Sequence, residues 1–247
     1  MNQATIMAAG KTAALDHACQ LLTDTGITVT TTPLSHVTHL LLPVPSFEPD
    51  GAIKGGGSLA EILSQLPRDI TVIGGKLSRS ELENYQTLDL LEYEPYLLEN
   101  AHITAHCALG LAISNAPYIL DSQPVLVIGW GRIGQKLAQL LQAIGAKVTV
   151  AARKETDRIA LVSRGYHGIS IQQIQPEQYK LIFNTAPAML LPECSGNGIK
   201  IDLASQLGIG GKNVIWARGL PNKLAPVSSG QLIAKIVISH LNEEATA

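Results

Sequence analysis

The sequence predicts an α/β protein: a C-terminal Rossmann domain built on a doubly wound parallel sheet, preceded by a smaller N-terminal α/β domain of flavodoxin-like type. Three observations predict it. Short apolar strands alternate with polar-faced helices along most of the chain. Residues 125–134 read Val125-Leu-Val-Ile-Gly129-Trp130-Gly131-Arg132-Ile133-Gly134, an apolar strand running straight into G-x-G-x-x-G. An amphipathic helix to Gly145 and a second strand, Lys147 to Ala152, then open a βαβ unit, the setting in which that glycine spacing has meaning.

The 247 residues suffice for two domains of about 120 residues each. A strand at 4–9 ends in Gly10 and leads to a helix at 12–23; strands at 27–31 and 38–43 follow. Gly51 to Gly57 form a glycine-rich connection, and Ser58 with Glu61 makes a capping box for a helix reaching Leu66. Strands at 69–74 and 87–91 flank a second capping box, Ser78 with Glu81. Residues 92–120 carry long apolar periodicity until Pro117 interrupts it, so a helix crosses between domains here. The regular pattern then resumes. Strands are expected at 125–129, 147–152, 167–170, 180–186, 198–204 and 213–217, with helices at 132–144, 155–164, 172–178 and 228–241. These elements divide the chain into an N-terminal substrate-side domain (1–94), an interdomain helix and linker (95–123), the Rossmann domain (124–241) and a tail (242–247).

Composition narrows the function. Eighteen basic against twenty acidic residues, with 4% aromatics and no basic run, argues against nucleic acid and for a small ligand. The N-terminus lacks the pattern of a signal peptide, and no apolar run approaches the ~18 residues of a membrane span, so a soluble cytoplasmic protein is expected. Cys19, Cys107 and Cys194 are scattered and odd in number, so neither a disulfide framework nor a metal site is indicated.

In the glycine turn, Gly129 permits the tight bend, Gly131 lets backbone approach a pyrophosphate, and Gly134 lets the helix pack on the strand. Trp130, Arg132 and Ile133 complete the turn, with Arg132 as a further phosphate contact. An acid at the end of the second strand would bind the ribose hydroxyls of NAD. This chain instead has Ala152-Arg153-Lys154 there, with Arg158 beyond, so NADP is expected ahead of NAD. Ligands of open α/β sheets lie past the carboxyl ends of the strands, which adds Thr185-Ala186-Pro187 and Asp202-Leu203-Ala204-Ser205 to the cofactor surface. Asp202 serves equally well as a cap. Ser228 and Ser229 open the last helix, where an anionic group could dock. His102 and His106, spaced i,i+4, share a helical face; His106 is a candidate acid/base or carboxylate-binding group, and no third metal ligand is evident. His17, His36, His39, His167 and His240 show no constellation.

The run Leu126 to Lys154, with Phe183-Asn-Thr-Ala-Pro187, Ile201-Asp-Leu-Ala-Ser205, Gly219-Leu-Pro221 and Ala225-Pro-x-x-Ser-Gly-Gln231, resembles the A subunit family of dipicolinate synthase. Leu42-Pro43-Val44 is similar to that family's substrate-domain loop. Where the family tends to place Thr-x-Glu-Gly, this chain has Thr104-Ala105-His106-Cys107. The resemblance implies an NADP-dependent oxidoreductase that converts a dihydrodipicolinate-type precursor to dipicolinate during sporulation, in partnership with a B subunit, together with self-association. The small dicarboxylic substrate would lie in a cleft between the domains, against Pro43, Val44, Thr104, Ser228 and Ser229, with His106 and Thr104 as the catalytic pair and Lys223 and Arg218 supplying charge. Two rivals stand beside it: another NADP-dependent reductase of a 2-oxo acid or imine, and a non-catalytic NADP-binding regulatory subunit.

Overall fold

The computed structural model describes residues 4–246. Residues 1–3 and 247, the extreme ends of the expected first domain and tail, lie outside the described residues. The chain forms two compact units: residues up to Asn100 together with those from Pro221 onward, and Ala101–Leu220.

In the first unit, Thr5–Ala8 (β1), Thr28–Thr30 (β2), His39–Leu41 (β3), Thr71–Gly74 (β4) and Gln86–Asp89 (β5) form a parallel sheet in the order β2-β1-β3-β4-β5. That is the flavodoxin order. The three inner strands are buried at every position, as strands covered on both faces must be, which explains why they read as apolar runs rather than alternations. Ala13–Asp24 (α1) begins at Thr12, whose hydroxyl accepts from the Leu15 N–H at 3.2 Å. Gly10, at φ +90°, brings the start of α1 against the glycine-rich connection, where the Lys11 N–H donates to the Lys54 carbonyl at 2.8 Å. Ser58 caps Leu59–Leu63 (α2), its hydroxyl accepting from the Glu61 N–H at 3.5 Å, which is the first half of the expected box; the helix ends three residues short of the expected Leu66. The expected box at Ser78 does not form: a 3-10 turn starts at Ser80 because Arg79 pairs with Glu81 at 2.9 Å and stacks over Phe47 at 4.3 Å.

Glu94–Asn115 (α3) is shorter than the apolar pattern implied. Asn115 ends it by donating from its side chain to the Leu111 carbonyl at 2.8 Å, two residues before Pro117. Among the described residues no helix is long and apolar enough to cross a membrane.

The second unit carries Pro124–Ile128 (β6), Arg132–Ala143 (α4), Lys147–Ala151 (β7), Glu155–Ser163 (α5), His167–Ile169 (β8), Leu181–Asn184 (β9), Ile199–Asp202 (β10) and Val214–Trp216 (β11). Its sheet runs β11-β10-β9-β6-β7-β8, all parallel, which is the doubly wound order with β6 as first strand. The short helix expected at 172–178 is replaced by two 3-10 turns, Ile171–Gln173 and Pro176–Gln178, since a proline in mid-segment removes an N–H.

Leu220–Leu224 (α6) was not legible in the pattern; Pro226–Thr246 (α7) was, although it starts two residues earlier, with proline in its first turn. The linear pattern assigned this last helix to the Rossmann domain. The structure gives it to the first unit, packed on α1 so tightly that a Cβ on Gly230 would fall 2.6 Å from the Ala14 carbonyl oxygen and 2.6 Å from the His17 Cβ. Order along the chain carries no information on which sheet an amphipathic helix covers.

Candidate nucleotide site

Register brings the functional segments of the second unit together. Ile128 of β6 pairs with Ala151 of β7 on one side and Asn184 of β9 on the other, so Gly129, Ala152 and Thr185 leave the sheet side by side. Gly129 sits at φ +102°, donates its N–H to the Ala151 carbonyl at 2.9 Å, and has no room for a Cβ, which would lie 2.5 Å from the Thr185 hydroxyl. Gly134 is excluded from bearing a side chain by the Gly129 carbonyl, 2.2 Å from where a Cβ would be. Gly131 differs from both. Its φ of −81° suits any residue, and nothing lies within 4 Å of where its Cβ would stand. It is also the N-cap of α4, and no side chain caps that helix. The glycine is thus required by neither packing nor backbone conformation. A glycine at this N-cap keeps the backbone open to the close approach of a ligand.

Thr185 is anchored twice to Ile128: its N–H and its hydroxyl both donate to that carbonyl at 2.9 Å. Ala186 and Pro187 follow as a partly exposed shoulder. Asn184 and Asp202 are fully buried. One Asp202 oxygen accepts from the Ala204 N–H at 2.9 Å; the other accepts from Gly208 at 2.7 Å, Ile209 at 3.0 Å and the Asn184 side chain at 3.1 Å. Its carboxylate is therefore occupied in shaping the 202–209 loop, which leaves Leu203 half-buried, Ala204 buried and Ser205 exposed.

At the end of β7, Ala152 is buried while Arg153 and Lys154 project into solvent. Arg158 folds back instead, donating from one guanidinium nitrogen to the Ala152 and Arg153 carbonyls, both at 2.9 Å. It holds the loop that presents the other two cations. Trp130 meets Tyr166 edge-on at 5.5 Å, with the Arg164 guanidinium 5.7 Å from its ring. Burial raises the Tyr166 hydroxyl above the ordinary phenol range, opposed by Arg164.

His102 and His106 do share one exposed face of α3, their rings 4.6 Å apart and T-shaped. Desolvation, then His106 and Lys136 of α4, hold His102 below the ordinary imidazole range. Thr104 is buried on the same helix. In the first unit, Pro43 and Val44 are buried, and the Val44 carbonyl accepts from the Asn222 side chain at 2.8 Å. Ser228 is exposed whereas Ser229 is only 2% exposed.

Two features escaped the linear reading. Lys200, on β10, is 1% exposed and donates to the Gly196 and Lys212 carbonyls at 2.9 and 3.2 Å, a buried cation for which an isolated lysine in an apolar strand was the available signal. His39 and His240, which show no constellation in the sequence, converge on Glu244. The i,i+4 spacing of His240 and Glu244 was visible; the approach of a strand residue some two hundred positions earlier was not.

No protein-family model matches the chain. A curated relative, the A subunit of dipicolinate synthase from Bacillus subtilis (strain 168), is 25% identical over 238 residues, covering 85% of this chain and 80% of that protein. The crystal structure of the dipicolinate synthase A chain from Bacillus subtilis superposes with a TM-score of 0.83 at 22% identity, over 100% of this chain and 99% of that one. A transhydrogenase from Sinorhizobium meliloti follows at 0.69 with 13% identity, over 97% of this chain and 94% of that one. The resemblance carried by the residues therefore extends through the length of the chain, which is similar to the A subunit of dipicolinate synthase.

Proposed function

We propose that the chain is an NADP-dependent oxidoreductase that converts a dihydrodipicolinate-type precursor to dipicolinate, acting in the cytoplasm of sporulating cells in the A position of a synthase, with further copies of itself and a B subunit for partners. The observation that carries this reading is the open space at Gly131, a glycine that neither packing nor φ demands, beside an uncapped helix end. A dinucleotide pyrophosphate fits that cradle, with the amides of residues 131–134 as its donors and the side chain of Arg132 adding charge. Thr185, Ala186 and Pro187, together with Leu203, Ala204 and Ser205, would flank it; Asp202 acts by holding its loop. Arg153 and Lys154, exposed beside the end of β7, are the residues to take a 2′-phosphate.

A nicotinamide cofactor held there would supply the acceptor for a hydride from a substrate ring carbon. The chain's own residues must orient the ring, hold its carboxylates and take the proton released as the ring becomes aromatic. His106 suits the last task, and neutral His102 beside it provides a second acceptor. Thr104 positions that face of α3, and on the first unit Ser228 and the backbone at Pro43 and Val44 are the substrate-side candidates, with Ser229 supporting from a buried position.

The test is fluorescence titration of the purified chain with NADPH and NADH, followed by an aromatisation assay on a dihydrodipicolinate precursor with NADP+. Tighter binding of NADPH and formation of dipicolinate support the reading. Absence of nucleotide binding overturns it.

A further inference from the structure

Two imidazoles meet one carboxylate at the end of α7. His39 opens the central strand β3 with its side chain 6% exposed, and its Nε2 lies 3.0 Å from Glu244 Oε2. His240, one helical turn before Glu244, places its Nε2 3.3 Å from Oε1 of the same carboxylate. The two rings are T-shaped at 6.4 Å, and the three donor atoms lie within 4.8 Å of one another. We propose that His39, His240 and Glu244 bind a divalent transition-metal ion of the zinc class that clasps the end of α7 to β3.

A hydrogen-bonded His–Glu pair accounts for His39 alone. It leaves His240 unexplained, because that Nε2 is shielded from solvent and, although 3.3 Å from Oε1, makes no hydrogen bond. Buried polar atoms without partners are rare, and this one lies beside the second oxygen of the carboxylate that His39 already engages. The donor set is the second point. Two imidazoles and one carboxylate, with a fourth position open, is a recurrent zinc environment. Ligand atoms ~2.0–2.1 Å from a tetrahedral ion lie about 3.3 Å apart; here the two nitrogens face different oxygens of the one carboxylate, at 3.0 and 3.3 Å, so either oxygen lies near enough to a nitrogen to share an ion with it. The support around the ligand is the third. The other His39 nitrogen, Nδ1, sits 2.8 Å from the Thr38 hydroxyl, which is itself held between the N–H and carbonyl of Thr5 at 3.0 and 3.1 Å. A metal-bound histidine usually has such a partner on its remote nitrogen, fixing its tautomer. The site lies within the first unit and does not rest on nucleotide binding.

The experiment is to dialyse the full chain, stripped with a chelator, against ZnCl2 and measure bound zinc, then to repeat with CoCl2 and record the visible spectrum. One zinc per chain is expected, together with the intense d–d absorption of a low-coordinate cobalt site and a rise in Tm of roughly 5 °C on loading. H240A and E244Q, at a half-buried and an exposed position, should weaken zinc binding by about 100-fold or more while far-UV circular dichroism is unchanged. Failure of the wild-type chain to retain zinc, or equal retention by both variants, overturns the site. Should either variant unfold, anomalous scattering from zinc-loaded wild-type crystals decides: a peak among the three side chains supports it and a peak elsewhere, or none, rejects it.

Discussion

The Asn184 side-chain amide donates to the Asp202 carboxylate at 3.1 Å, tying the end of β9 to the end of β10, its neighbour in the sheet. Asn184 in turn donates to the Ala186 carbonyl at 3.0 Å and accepts from the Ala186 N–H at 3.1 Å, so one buried amide shapes the turn on its own strand and steadies the acid that shapes the next. The loops after β9 and β10, both on one side of the glycine turn, are thus one hydrogen-bonded assembly.

Replacing Asp202 with Ala strands three buried backbone donors and the Asn184 amide at once. The expected loss is about 3–5 kcal/mol of unfolding free energy, read from urea denaturation. A loss under 1 kcal/mol would mean that the loop finds other acceptors.

Two glycine substitutions should separate. G131A has space and permissive φ, so its Tm should stay within ~2 °C of the parent while NADPH affinity drops by at least ~10-fold, because the new methyl occupies the approach to the backbone. G134A drives a methyl against the Gly129 carbonyl and should cost roughly 1–3 kcal/mol of stability whether or not nucleotide is present. Thermal scans with and without NADPH distinguish the two patterns.

The double variant R153A/K154A should weaken NADPH by ~10–100-fold and leave NADH nearly unchanged, as expected when charge-assisted contacts to a 2′-phosphate are removed. Equal weakening of both cofactors in calorimetric titration would remove that assignment. R158A should weaken both cofactors modestly, since it frees the Ala152 and Arg153 carbonyls and loosens the loop itself.

His102 should titrate below the ordinary imidazole value in a ring-proton NMR titration, and K136Q should move it upward by removing a nearby cation. The sign for stability follows. With the folded value depressed, the unfolded chain binds the proton first as pH falls through the ordinary value near 6.5, so this residue's contribution is complete above that pH and lost as pH falls toward the folded value. An unmoved His102 in K136Q would show the lysine too well screened to matter.

G230V should destabilise the chain by roughly 1–3 kcal/mol, because the Ala14 carbonyl and the His17 Cβ leave its side chain nowhere to go. Equilibrium unfolding in urea measures this directly.

Most of the fold was legible because both sheets are parallel. Buried strands such as β1, β4 and β9 read as compact apolar runs, and the helices between them carry the 3.6 period, so element type and order follow from periodicity alone. The glycine turn was legible down to the separate burdens of Gly129 and Gly134. What could not be read depended on distant partners. The assignment of α7 to the first unit rests on contacts between residues such as Ala14 and Gly230. The burial of Ser229, unlike its neighbour Ser228, follows from which face of α7 turns inward. Asp202 offered two readings of equal standing in sequence, and only the four donors around it reveal how its oxygens are used.

The return of α7 to the first sheet has a consequence for biogenesis. During synthesis the second unit, an unbroken segment, can close as soon as it leaves the ribosome, whereas the earlier-made sheet keeps the surface beside Ala14 uncovered until residues 226–246 emerge. The half translated first therefore finishes folding last, and nascent chains halted before Pro226 should depend more heavily on chaperones than those released in full.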